Sequence, residues 1–316
     1  MTHWLDWLKF FPYAAVYPKR REYLEIRGPY FSKPRQNKWF FGDSVFCFDA
    51  PRANPVLGFN GCGRSINALH PHGDDILRVF LEPVYASGSD APAGHWDRKL
   101  FYRNTWYFVG PWFIGEKAGL DAIGLLVSAD EQSLFKETSL FHPRFFESAV
   151  ADRLDNSYGY HRSGKRPDYR GPLNWRVLLL SDSIQGVVCD VHQIHNGSRE
   201  NPSLNRIVFF PVSPHQFVCI TFDFGGVEVN RDETRAKPLL ALADSIINSM
   251  RLQVGPKTQA EWDKVKATGD DMSITQTFGE LAWPLFEEKK SRKKPEVDIT
   301  PNDTPIEIPK VINQHK

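Results

Sequence analysis

Residues 205–226, NRIVFFPVSPHQFVCITFDFGG, followed by 236–254, AKPLLALADSIINSMRLQV, decide the fold class of this chain. The first stretch places Ile207, Val208, Phe209, Phe210 and Val212 before a Ser-Pro-His break. Phe217, Val218, Ile220, Phe222 and Phe224 come after the break. The second stretch sets Leu239, Leu242, Ala243, Ile246 and Met250 on one helical face, with Asp244, Asn248 and Arg251 off it. A period near two that gives way to 3.6 predicts a hairpin packed over by an amphipathic helix. The expected class is therefore α+β: mostly antiparallel sheet with packed helices, in an α/β/α-sandwich-like arrangement.

Working outward, WFFGDSVFCFD (39–49), ILRVFLEPVYASG (76–88), KLFYRNTWYFVGPWF (99–113) and LDAIGLLVSAD (120–130) each read as a strand. FHPRFFESAVADRLDNSYG (141–159) has Phe145, Phe146, Ala149, Val150 and Leu154 at helical spacing. Pro143 near its start and Gly159 past its end suit a helix. HRSGKRPDYRGPLNW (161–175) reads as irregular, and WRVLLLSDSIQGVVCDVHQIH (175–195) as two strands joined through Asp182 and Ser183. The organisation expected is an amphipathic segment over 1–30, a β-rich region over 31–135 and an α+β region over 136–256, the last two forming either one continuous domain or two. A short helical extension (257–286) and a flexible, charged, Pro-rich tail (287–316) complete it.

Composition narrows the function classes. With 23 Phe and 9 Trp, the chain has the bulky side chains of a folded core or a sticky groove. A net charge of +1 leaves no global field to draw in nucleic acid or an anionic membrane. Cys47, Cys189 and Cys219 sit in apolar runs and Cys62 in a glycine-rich loop. None has zinc-ligand spacing, so free thiols in a reducing cytoplasm are expected. The N-terminus has Trp4, Leu5, Trp7, Leu8, Phe10 and Phe11 broken by Asp6 and Lys9, with Lys19, Arg20 and Arg21 following. That order is not a signal peptide, and no run reaches the ~20 apolar residues of a membrane span. Weak surface association through this segment is the most it suggests.

Three clusters could carry chemistry. His70-Pro71-His72-Gly73-Asp74-Asp75 resembles the metal loop of the metallo-β-lactamase fold, since two imidazoles and a carboxylate suit zinc. Asp75 stands where that family has a further histidine, and His142 or His195 would have to complete the site. Asp190 and His192 share one strand face while His195 takes the other, so the three converge only if a bulge intervenes. Cys62 between Gly61 and Gly63 has the look of a loop nucleophile without a predictable base. Neither a G-x-S-x-G elbow nor a phosphate-binding glycine motif is present. No metal, cofactor or catalytic residue is therefore expected, and a binding protein is favoured over an enzyme.

The blocks RNTWYFVGPWFIGEKAGLDAIGLLVSAD (103–130), FHPRFFESAVADRL (141–154), GPLNWRVL (171–178), IVFFPVSPHQFVCITFDFGG (207–226) and KPLLALADSIINSMRL (237–252) carry a family resemblance. They resemble bacterial proteins encoded beside type VI secretion effectors, among them immunity proteins that neutralise a toxin nuclease. The last hairpin and helix are also similar to the Mog1/PsbP-type α/β/α sandwich. The resemblance implies a cytoplasmic protein whose partner is a cognate toxin effector, occluded sterically, without direct nucleic-acid binding. Asp74 and Asp75 are the candidate partner-binding acids, at the rim of that interface. The alternatives are an effector-loading adaptor or chaperone, or a metal-dependent hydrolase using His70 and His72.

Overall fold

Two antiparallel sheets and three helices build an α+β fold. The computed structural model describes residues 34–51, 75–78, 96–109, 117–129, 134–159, 162–163, 166–194, 202–225, 233–269 and 271–283. All of these belong to the first of two compact units, 1–285 and 286–316. The tail, the N-terminal segment, and most of the 76–88 run lie outside the described residues.

The stretch expected as one strand over 39–49 is a hairpin, β1 (Arg35–Phe41) and β2 (Ser44–Ala50), with Phe41 opposite Ser44. Gly42, at φ +61°, takes the first central position of the two-residue turn. A positive φ there matches the turn's twist to that of the strands, so Gly42-Asp43 reverses a run that looks unbroken by hydropathy. Residues 76–78 form a turn rather than the start of a strand.

The main sheet comprises β3 (Trp96–Val109), β4 (Lys117–Ala129), β7 (Tyr169–Leu179), β8 (Gln185–Ile194), β9 (Pro202–Ser213) and β10 (Gln216–Gly225), ordered β3-β4-β10-β9-β8-β7. Between β4 and β7 the chain adds a two-stranded ribbon, β5 (Arg162–Ser163) with β6 (Arg166–Pro167). Strands from the 31–135 and 136–256 regions thus share one sheet. The second sheet, β1-β2-β11, closes through β11 (Arg251–Gln253), whose Leu252 pairs with Phe46.

The central strands of the main sheet are apolar on both faces. Val208, Phe210, Val218, Ile220 and Phe222 join one buried cluster; Ile207, Phe209, Phe217 and Cys219 join the other. Such strands show a near-continuous apolar run, which is why 207–212 lacks clean alternation. On the first face pack the small sheet, through Trp39, Phe41, Phe46 and Phe48, and helix α2 (Glu233–Asn248), through Leu239, Leu242, Ala243, Ile246 and Ile247. The opposite face receives helix α1 (Pro143–Leu154) through Phe146, Ala149, Val150 and Leu154. Each fully buried Leu, Ile or Phe contributes about 1.5–3 kcal/mol over exposure, so these two stripes hold the layers together. Phe145, expected on the α1 stripe, is 41% exposed, because the stripe centres on Phe146 one residue further round.

Helix α3 (Pro256–Thr268) has no buried residue. The carboxylate of Asp43, in the β1–β2 turn, accepts hydrogen bonds from the Lys257 and Thr258 amides and the Thr258 hydroxyl, and so caps α3 from outside it. Residues 271–283 then run without regular structure as a strap over α1 and β7. Buried Glu147 accepts from the Thr275 amide and hydroxyl, Trp175 Nε1 donates to the Thr275 carbonyl at 2.8 Å, and Arg170 grips Glu280 at 2.8 and 3.1 Å. Ile274 and Trp283 are the strap's buried anchors.

Candidate functional site

Where α1 begins, α3 and the strap approach the 181–184 turn and leave a shallow cleft lined by Phe141, Phe146, Ile184, Trp262, Met272 and Ile274. Each element arrives for a local reason. His142, in extended backbone, accepts the Arg144 amide on Nδ1 and so starts α1 beside the cleft. Ser181 Oγ accepts the amides of Ser183 and Ile184 and closes the turn. Ser183 Oγ meets Gln259 Oε1 at 2.6 Å and ties that turn to α3. Beside the cleft Phe145 projects into solvent, its ring 5.1 Å from the His142 imidazole. Within the lining, Gln185 Oε1 is buried and accepts no hydrogen bond. A small recess among apolar side chains with one unpaired acceptor suits the tip of a side chain that carries an N–H or O–H donor.

Beneath α2 lies the second cluster. Arg206 donates from Nε and Nη2 to Asp190 at 2.8 and 3.1 Å, and from Nη1 to Asp244 at 2.9 Å. Arg176 joins Asp244 at 3.1 Å, and Asn174 Nδ2 donates to Asp190 at 2.9 Å. Asn174 reaches inward from a break in the β7 register and holds a left-handed backbone, φ 51°. Desolvation weakens the Arg206 charge, but its bonds to Asp190 and attraction to Asp244 win and raise its pKa. A paired network with the buried Asp190–Arg206 contact at its centre ties β7, β8, β9 and α2 together.

The predicted site residues fall as follows. His70, His72, Asp74, Cys62 and His195 lie outside the described residues. Asp75 pairs with the small sheet: its carboxylate accepts the Gly42 amide at 2.7 Å and the Leu77 amide at 3.0 Å, and meets Arg78 at 3.2 Å. His142 is a helix cap. Asp190 and His192 do share a face, with Asp190 committed to Arg206. Burial lowers the His192 pKa, with the pull of Asp190 only partly opposing it. Burial raises the pKa of Cys47, and adds most of the upward shift at Cys189 and Cys219, which keeps all three as thiols. Among the described residues, no three His, Cys, Asp or Glu side chains converge as a metal site. No described helix is long and apolar enough to cross a membrane.

Sequence reasoning missed the cleft. Its lining comes from 140–146, 183–185, 211, 262 and 272–274, separated segments that no spacing rule connects. The only local signal was a tryptophan in the otherwise polar TQAEWDKVKATGDD. No protein-family model and no curated protein sequence matches this chain.

Proposed function

We propose that this chain is an immunity protein of the cytoplasm that binds a type VI secretion toxin and silences it by covering the toxin's active cleft. The observation that supports this reading is the small cleft beside exposed Phe145: a recess next to a protruding aromatic suits an anchor of a protein interface. The internal braces agree with such a role. Asp190, Glu147 and Asp43 hold elements in place, which preorganises the surface and cuts the cost of association.

The test is co-expression with the toxic domain of an effector encoded alongside. Survival only in the presence of this protein, with the two co-purifying, supports the reading. Phe145→Ala should weaken the complex tenfold or more while leaving the melting temperature unchanged. Survival without a complex, or an unchanged complex in Phe145→Ala and Trp262→Ala alike, would refute the cleft as the anchor. Stoichiometric zinc bound through His70 and His72 would favour the hydrolase instead.

A further inference from the structure

We propose that Arg98 and Arg153 hold a phosphate-class oxyanion beneath the last turn of α1. Arg153 is only 6% exposed, and its Nε and Nη1 are buried without a hydrogen-bond partner. Arg98 rises from β3 on the face that α1 covers. Two residues before it, Trp96 Nε1 donates to Asp152 Oδ2 at 2.6 Å, which pins this part of β3 against the end of α1. The register sets Arg98 opposite Val127 and Leu100 opposite Leu125, with Cys219 the next neighbour of Leu125. Both guanidinium groups act on the Cys219 thiol, and Arg153 adds to the burial that lowers the Arg98 pKa. Arg153 and Arg98 therefore lie on the same α1-covered face, near Cys219. Neither makes an ion pair or side-chain hydrogen bond with a described residue, and the neighbouring carboxylate of Asp152 is taken by Trp96.

A buried guanidinium without a counter-charge is costly, and a second one nearby makes it more so. The surrounding groups lean the same way. After Arg153 the helix widens into a π turn, Asp155–Gly159, a distortion that recurs at functional sites. It carries Ser157, whose buried Oγ has no partner, and Tyr158, whose pKa burial drives up so that the hydroxyl keeps its proton. Against Gly159, where an added Cβ would come within 3.2 Å of the ring, sits Trp283, whose buried Nε1 also lacks an acceptor. Unpaired donors on permanent cations call for an anion. Two guanidinium charges exceed the single charge of a carboxylate. A tetrahedral dianion matches both the charge and the donor number. The site is separate from the cleft and does not depend on the toxin-binding reading.

The test uses the full chain, dialysed free of phosphate, with thermal unfolding and calorimetry against inorganic phosphate and against glycerol phosphate, each at constant ionic strength. The expected result is a saturable rise in melting temperature of several degrees. Response to inorganic phosphate alone identifies a free anion, and response to glycerol phosphate alone a phosphomonoester; either supports the site. Arg153→Met and Arg98→Met should each abolish the response, with Arg153→Met no less stable than wild type in phosphate-free buffer. If Arg153→Met does not fold, Arg98→Met and the wild-type titrations decide. No response from wild type to either ligand, or a full response retained in a folded variant, would overturn the proposal.

Discussion

Asp190→Ala should cost about 3 kcal/mol of stability, because it strips the buried Arg206 of its principal partner. Asp190 accepts three hydrogen bonds, at 2.8 and 3.1 Å from Arg206 and 2.9 Å from Asn174. Its side chain is 3% exposed and that of Arg206 15%, so water cannot replace what is lost. Removing one member of a buried pair costs about 3–5 kcal/mol. Asp244 still holds Nη1 at 2.9 Å, but it is 40% exposed and shared with Arg176, so the lower end of that range is expected. At about 2–4 °C per kcal/mol for a chain of this class, the melting temperature should fall by about 6–12 °C. Urea titration gives the free energy directly. The double variant Asp190→Leu with Arg206→Met should recover most of the loss, since it removes the charge together with its partner. A loss from Asp190→Ala within about 1 kcal/mol, the range of an exposed pair, would refute the claim that this network braces the sheet.

Ile246→Asp should unfold or aggregate the protein while Asn248→Asp stays near neutral, because Ile246 is 1% exposed beneath α2 and Asn248 faces solvent; equal melting temperatures would show that α2 does not pack as described. His192 is held below its usual pKa of 6.5, chiefly by burial. Just below pH 6.5 the unfolded chain takes up a proton that the folded chain refuses, so stability is full above that pH and declines as pH falls. His192→Gln should flatten the decline in urea titrations between pH 7 and 5, and parallel profiles would count against it. Asp75→Lys removes the acceptor for two backbone amides, at about 0.5–1.5 kcal/mol each, and should lower stability by about 1–3 kcal/mol. Any slower partner association in that variant has to be measured where the fold is intact, with Phe145→Ala as the comparison.

The hairpin of β9 and β10 and the stripe of α2 were legible because each is local: a Ser-Pro-His break and a helical period are written in consecutive residues. Less legible was the burial of both sheet faces. In Ile207–Val212 every residue is buried, so hydropathy does not say which neighbour lies above and which below. The β1–β2 hairpin escaped for a related reason, since Gly42-Asp43 reverses the chain between two aromatic arms and costs only two residues. β7 was legible only from Trp175 onward, because Gly171, Pro172 and Asn174 look like loop residues. In the fold they shape an irregular edge strand that delivers Asn174 to Asp190.

The candidate sites were least legible, and the reason is physical. His70, His72, Asp74 and Asp75 drew attention because side chains with ligand chemistry stood side by side in sequence. Groups that the fold leaves unsatisfied among the described residues include those at 153, 157, 185 and 283, and each looks ordinary in its own segment. Arg153 is the clearest case: on the helical wheel it is a routine basic residue near a helix C-terminus, where a cation is favourable in any event. Only packing reveals that it turns inward, its Nε and Nη1 buried without a hydrogen-bond partner among the described residues. A cation that could have been solvated at the surface, but is instead held under α1 with two nitrogens unpaired among the described residues, is what the proposed anion would satisfy. That makes the phosphate titration the more decisive of the two binding experiments, because it needs no knowledge of the partner.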